Sequence, residues 1–372
     1  MNSRPFSGLY RGKSVLVTGH TGFKGAWLAH WLLELGAEVH GFALAPHTTP
    51  TLFDQLGLAD RLHQELADLR DASAVRRLLL AAQPDFVFHL AAQSLVRESY
   101  AHPSETYAVN VMGTINVLEA MRELAKPCAA VLITTDKCYE NREWVYGYRE
   151  QDPLGGHDPY SSSKAAAEIA IASWRRAFFQ DHPVRIASAR AGNVVGGGDW
   201  APDRIVPDCI RALQQGRSIL VRNKVATRPW QHVLESLSGY LQLGAEIHRA
   251  ALNSQPSTLN SLCSAFNFGP SHVSNRTVAE LVAEVLKHWP GNWEDRSDPN
   301  AAHEAKLLNL ATDKAYHWLR WQPVWNFEQT IAASVNWYRR CAADASQARS
   351  LTLNQINDYV KAARSAGVPW AL

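Results

Sequence analysis

Six apolar runs in the first half of the chain alternate with amphipathic stretches, and their spacing predicts strand followed by helix, repeatedly. Lys13–Thr18 reads as a first strand, residues 25–35 as a helix and Ala37–Leu44 as a second strand. A short third strand spans 64–67 and ends at Asp68, before a helix over Asp71–Ala82. Asp85-Phe-Val-Phe-His-Leu90 is nearly continuous in apolar side chains, the pattern of a strand covered on both faces. A long helix over 104–125, a strand over Ala129–Thr134, a second long helix over 159–180 and a strand over Arg185–Arg190 complete the series. Strand–helix alternation of this kind predicts an α/β fold with a doubly wound parallel sheet and right-handed crossovers.

Past Arg190 the texture changes. Asn193–Asp203 is rich in glycine, and the remainder mixes helices (near 205–215, 231–250, 276–289 and 326–343) with short strands near 217–222 and 264–268. Residues 1–190 are therefore expected to form mainly one domain. Residues 191–372 form mainly a smaller mixed α/β lobe over the carboxyl edge of the sheet, with some segments returning to the first domain. An apolar share of 46% allows a large core, and a net charge of +2 with no basic run implies no nucleic-acid partner. No run of 18 apolar residues and no apolar leader at the N-terminus are present, so no membrane span is expected. The five cysteines, at 128, 138, 209, 263 and 341, lack metal-ligand spacing; free thiols in a reducing compartment and no metal site are expected.

Candidate chemistry starts at the end of the first strand. Gly19-His-Thr21-Gly22-Phe23-Lys24-Gly25 directly follows Val-Leu-Val-Thr and opens the first helix. Glycines there allow a tight turn and a close approach of backbone to a pyrophosphate at the helix N-terminus, the mark of a Rossmann-type dinucleotide site. The end of the second strand carries no carboxylate for a ribose diol and no arginine for a 2′-phosphate, so NAD and NADP stay undistinguished by that cue. Asp68 is placed to reach an adenine amino group or to cap a helix, with Leu69 beside it to pack on the ring. Leu90-Ala91-Ala92-Gln93 offers small residues for a second close pass along the cofactor.

Tyr160 and Lys164 stand one helical turn apart just after Asp158-Pro159. A lysine on the same face favours the phenolate, and the tyrosine can then take a proton from a substrate hydroxyl while hydride leaves its carbon. Thr134 and Thr135 close the fifth strand as hydroxyl partners, followed by Asp136 and Lys137. Arg97, Arg190, Arg204, Arg222 and Arg228 are candidates for holding phosphates. Trp200, Trp230 and Phe268 are placed either to pack on a base or to fill core.

The glycine spacing with Tyr160 and Lys164 resembles the extended branch of the short-chain dehydrogenase/reductases. The words TTDKCYENREW, GGHDPYSSSKAAAE, SARAGNVVGGGDWAPDRIVPD and RPWQHVLE narrow the likeness to the CDP-glucose 4,6-dehydratase family, over nearly the whole chain. That resemblance implies a tightly bound NAD, recycled in each turnover, and a nucleotide-sugar substrate. It gives Thr135 the oxidised hydroxyl to steady and Asp136 the departing hydroxyl to protonate. Related dehydratases place a glutamate base where Lys137 stands here; Lys137 is then a neutral base or a fixed cation beside an enolate. Asn193, residues 196–198, Arg228 and His232 fall, by resemblance, around the sugar and pyrophosphate. The family also implies a homodimer through the helices at 104–125 and 159–180, with the alanines Ala165, Ala166 and Ala167 allowing close approach, and a bacterial cytoplasmic enzyme of deoxysugar supply for surface polysaccharide. A 4-epimerase of the same fold and a noncatalytic NAD(P) sensor are the competing readings.

Overall fold

The computed structural model describes residues 4–253, 255–297 and 307–372. The first half lays down β1 (Ser14–Thr18), α1 (Phe23–Glu34), β2 (Glu38–Ala43), α2 (Leu52–Gln55), β3 (His63–Leu66), α3 (Ala72–Ala82) and β4 (Phe86–His89). After these come α4 (Val96–Ala101), α5 (Pro103–Tyr107), α6 (Gly113–Met121), β5 (Cys128–Ile133), α7 (Pro159–Ala177) and β6 (Val184–Ala191). The second half contains β7 (Val194–Val195), α8 (Ile205–Gln214), β8 (Ile219–Val221), β9 (Thr227–Pro229), β10 (Gln231–His232) and α9 (Val233–Leu252). It continues through α10 (Pro256–Leu262), β11 (Ala265–Phe268), β12 (Asn275–Thr277), α11 (Val278–His288), β13 (Trp293–Asp295), α12 (Asp313–Leu319), α13 (Phe327–Ala343) and α14 (Ala348–Ser365).

Seven strands form one sheet in the order β11-β6-β5-β4-β1-β2-β3, every neighbouring pair parallel. The order reverses between β1 and β4, and a crevice at such a switch point is where a doubly wound sheet binds ligands. The apolar runs are buried as their pattern requires: all six residues of β5 and all four of β4 lack exposure. β11 comes from the second half of the chain and pairs with β6, so the sheet is completed across the change in texture at residue 190. The smaller lobe is built from three two-stranded ladders, β10–β7, β12–β9 and β13–β8, among helices α8, α11 and α13.

One expected element is broken. The helix foreseen over 104–125 is α5, then a π-helical turn over Ala108–Met112, then α6, ending at Met121. The wide turn carries Asn110 inward, which bears on the site below. Trp27, Trp31, Trp321, Trp337 and Trp370 are fully buried. Trp31, Phe6, Tyr359 and Trp370 stack and edge against one another, fixing the outer side of α1.

Candidate active site

The turn between β1 and α1 is shaped by its glycines, each for a different reason. Gly19 has φ +77°, and a Cβ there would lie 2.8 Å from the Ala91 nitrogen, so residues 90–92 pass directly against the turn. A Cβ on Gly25 would lie 2.0 Å from the Gly19 carbonyl oxygen. Gly22 differs: its Cβ would meet only that oxygen, at an ordinary 3.5 Å. The fold thus needs no glycine at 22, whereas a ligand lying on the helix end does. Gly22 is the N-cap of α1 and supplies no side-chain cap, so the first N–H groups of a twelve-residue helix face outward for an anion. These features fit a dinucleotide pyrophosphate.

Around this turn Thr21 Oγ1 donates to the Leu44 carbonyl at 2.9 Å, and Phe23 packs toward Gly196. Lys24 Nζ donates to Tyr240 Oη at 3.1 Å, and burial, then the charges of Arg204 and Lys164, draw the amine down to about 7. Asp68 caps no helix. It accepts from the Arg70 guanidinium at 2.6–3.0 Å, which holds its carboxyl low, while Asp71 caps α3. Leu69 is buried against Gly113. Gln93 is held by its own surroundings, its side-chain nitrogen donating to Leu95 O and Thr106 Oγ1.

At the end of β5 the chain turns through Thr135, which caps the 3-10 turn Asp136–Cys138. Thr135 Oγ1 donates to Asp136 Oδ1 at 3.0 Å and lies within hydrogen-bonding reach of Tyr160. Asp158 caps α7 and Pro159 opens it, which places Tyr160 and Lys164 on the buried face toward β5. Asp136 is 2% exposed, and among the described residues its Oδ2 has no hydrogen-bond partner. Burial raises its carboxyl; Lys137, the Thr135 hydrogen bond and Arg228 oppose that shift. Burial also pushes the Tyr160 phenol up to about 12, with Thr135 and Arg204 opposing and Asp136 adding. Lys164 Nζ donates to the Ile133 carbonyl at 3.4 Å. A buried carboxyl raised above its ordinary value, a phenol and a buried amine thus share one small space with Thr135.

The arginines divide. Arg190 does not face this space: it is buried in an ion pair with Glu168 at 2.7 Å and donates to Tyr139 Oη and the Glu150 carbonyl. β6 is an inner strand of the sheet, and the guanidinium it carries is taken up by these buried partners. Arg97, Arg204 and Arg222 are each held by an acidic partner. Arg204 pairs with Asp199 at 2.8 Å, and Arg97 and Arg222 share Asp203 at 3.2 and 3.0 Å. Arg228 on β9 is buried with its charge felt at Asp136. Asn193 follows β6, its carbonyl accepting from Gln231 N, and Gly192 beside it would bring a Cβ within 2.6 Å of Asp136 Oδ2. His232 is a correction. It caps α9 through Leu234 N, lies edge-on to Trp27 and Trp325, and burial lowers it to about 3, so it is neutral and walled off from any phosphate. The glycines at 197 and 198 are needed by Trp337 and Leu52. Trp200 and Phe268 pack edge-on against Tyr338 and Trp321, and Trp230 Nε1 donates to the Arg276 carbonyl at 3.0 Å.

A family model described as GDP-mannose 4,6 dehydratase matches residues 16–334. A CDP-glucose 4,6-dehydratase from Salmonella typhimurium is 42% identical over 359 residues, covering 95% of this chain and 98% of that protein. The chain belongs to this dehydratase family. A CDP-paratose 2-epimerase from Salmonella typhi shares 31% identity over 87% of the chain and 98% of its own length. Among solved structures, a UDP-glucose-4-epimerase from Stenotrophomonas maltophila with bound NAD has a TM-score of 0.76 at 20% identity, covering 89% of this chain and 99% of that one; the likeness is one of fold. A dTDP-glucose 4,6-dehydratase from Streptomyces venezuelae, solved with NAD, has a TM-score of 0.73 at 24% identity, covering 88% and 97%.

Two residues of this dehydratase escaped the sequence reading. Asn110, in the π-helical turn, accepts from Gln93 N at 2.9 Å and donates to Gln93 O at 3.0 Å and to Ser163 Oγ at 2.9 Å. It fastens the segment after β4 to the catalytic helix. Tyr240 on α9 carries the bond to Lys24, and its phenol feels the charges of Tyr160 and Asp136. No local pattern marks either residue, since both act through contacts distant in sequence.

Proposed function

We propose that this chain is an NAD-dependent CDP-glucose 4,6-dehydratase, converting CDP-D-glucose to CDP-4-dehydro-6-deoxy-D-glucose and water. The observation that carries the reading is Asp136: a buried carboxyl raised toward its protonated form, with one oxygen unpartnered, beside the Thr135–Tyr160 pair. An epimerase has no use for such an acid; an elimination requires one. The nucleobase rests on the name of the 42% identical relative.

The first turn of α1 would hold NAD, which when bound would supply a hydride acceptor for C4 and a donor for C6. Tyr160 takes the proton of the C4 hydroxyl while Thr135 holds that oxygen. With C4 a ketone, the C5 proton is acidified. Lys137 takes it as a neutral amine, or, as a cation, steadies the enolate while a water takes the proton. Asp136 gives its proton to the C6 hydroxyl, which leaves as water, and a proton returns to C5 as hydride is restored at C6, giving the 4-keto-6-deoxy sugar. Arg97, Arg204, Arg222 and Arg228 are the cations proposed to hold the diphosphate. Residues 1–190 serve mainly the cofactor and residues 191–372 mainly the nucleotide sugar.

The reading extends to a homodimer. Tyr100, Tyr107, Met112 and Ile169 are exposed on α4, α5, the π-helical turn and α7, at 64, 39, 52 and 60%. Ala165 and Ala167 are buried inward, and Ala166 is the alanine that lies with Ser162, Ile169 and Ser173 on the outer stripe of α7. No helix among the described residues is long and apolar enough to cross a membrane. A bacterial cytoplasmic setting is proposed with the family's role in deoxysugar supply. Incubation with CDP-glucose should give a keto sugar nucleotide absorbing in alkali, with no net reduced cofactor; an aldose epimer instead would assign a 4-epimerase.

A further inference from the structure

Behind the reacting groups lies a buried carboxylate that the chemistry above leaves unused. Glu168 sits one turn beyond Lys164 on α7, its side chain 3% exposed. Its Oε1 accepts from Thr134 Oγ1 at 2.5 Å, and its Oε2 accepts from Ser188 Oγ at 2.9 Å and Arg190 Nη2 at 2.7 Å. Thr134 immediately precedes Thr135 and Asp136. One carboxylate therefore ties the end of β5, the middle of β6 and the catalytic helix to one another. A buried ion pair is weak as a source of stability, because desolvation offsets the attraction, and such a pair matters most through what it positions.

The charges facing Lys164 come from several elements. His89 on β4 is held neutral by burial, then by Lys164 itself, which together draw it down to about 3. The thiol of Cys138, beyond Lys137, is pushed up by burial and stays protonated. Lys24 on α1 is a second amine that repels. Glu168, held ionised by Arg190 and its hydrogen bonds against the cost of burial, is the anion of the set. Burial draws Lys164 down to about 8, and Glu168 is the first of the groups that oppose it.

We propose that Glu168 is a positioning residue: its carboxylate keeps Lys164 an ammonium in a water-poor site, and its bond to Thr134 holds the Thr135–Asp136 turn against the catalytic helix. The kinetic consequence rests on the proposed role of Lys164, whereas the charge of Lys164 can be read independently. The test titrates full-length, cofactor-loaded protein labelled with ¹³C at lysine Cε, with Lys164→Met identifying the resonance. In Glu168→Gln the Lys164 midpoint should fall by about one unit or more. The alkaline limb of single-turnover cofactor reduction with CDP-glucose should fall with it, costing about tenfold in rate one unit above the new midpoint. Glu168→Asp, which keeps the charge, should retain most of the parent midpoint. Glu168→Gln/Arg190→Met removes the uncompensated arginine; it should recover melting temperature but not the midpoint, and it carries the titration if the single variant folds poorly. A midpoint unmoved in the Gln variant, or restored in the double variant, overturns the proposal. A midpoint that moves while the parent protein reduces no cofactor with CDP-glucose would leave Glu168 standing and remove the substrate reading instead.

Discussion

Replacing Asp136 with Asn separates the two halves of the reaction. The residue is 2% exposed, its Oδ1 accepts from Thr135 and its Oδ2 has no partner, so an amide of equal size fits with its oxygen toward Thr135. Tyr160, Thr135 and the cofactor turn stay as they were, and oxidation at C4 should run within a few fold of the parent. Loss of the C6 hydroxyl has no acid, which costs about 10²–10⁴ in rate. Reduced cofactor should therefore accumulate in a single turnover followed by absorbance, instead of rising and falling. Stability should move the other way. A carboxyl raised in the folded state contributes stability that is complete below its unfolded value and lost as pH rises through its folded value. Once ionised, a carboxyl raised in this way is a burden, so Asp136→Asn should melt no lower than the parent at about pH 8 and lose any advantage in acid. Product formed at the parent rate without accumulation of reduced cofactor would refute Asp136 as the acid.

Tyr160→Phe should lose about 10²–10⁴ in C4 oxidation while cofactor affinity, read by fluorescence titration, stays close to the parent's; a parent-like rate would remove Tyr160 as the base. Gly25→Ala and Gly22→Ala should part company. The first sets a Cβ 2.0 Å from Gly19 O and should destabilise by about 1–3 kcal/mol or more, whereas the second meets that oxygen at 3.5 Å and should keep its melting temperature but bind NAD at least about tenfold more weakly. Lys137→Met should slow elimination under either role; an ascending pH limb present in the parent and absent in the variant marks a neutral base, and C5 hydrogen exchange at the parent rate in the variant would exclude Lys137 as proton acceptor. Glu235, buried and bonded to Val324 N, Trp325 N and Tyr359 Oη, is pushed up to about 7 by burial. Its contribution is lost as pH rises from about 4.3 through 7, so the parent's melting temperature should fall across that window and Glu235→Gln should flatten the fall.

The strands of the main sheet were legible because burial on both faces forces continuous apolar runs, and β4 and β5 are such runs. The glycine turn and the Tyr160–Lys164 spacing were legible because each is a local constraint on backbone or helix face. The break in the helix after α5 was not: nothing in Ala108–Met112 disfavours an ordinary helix, and the wide turn goes with Asn110 reaching Gln93 and Ser163. Arg190 was misplaced for a similar reason, since its partner Glu168 lies on another element and only the fold brings them together. His232 carried a local signal that went unused. It stands directly before an apolar helical stretch, with Glu235 three residues on, the position of a helix cap. The inward alanines of α7 also follow from periodicity once Lys164 is taken as buried, because Ala165, Ala167 and Glu168 share its side of the helix.

The central claim is that one hydride leaves C4 and returns to C6 of the same sugar, with water lost between. CDP-glucose carrying deuterium at C4, given to the purified protein without added cofactor and analysed by mass and NMR, tests it directly. The account predicts a product lighter by one water with the deuterium retained in the C6 methyl group, formed faster from CDP-glucose than from dTDP-, UDP- or GDP-glucose. Deuterium found at C4 of an epimerised sugar, or a dehydrated product whose label has been lost to solvent, would contradict it.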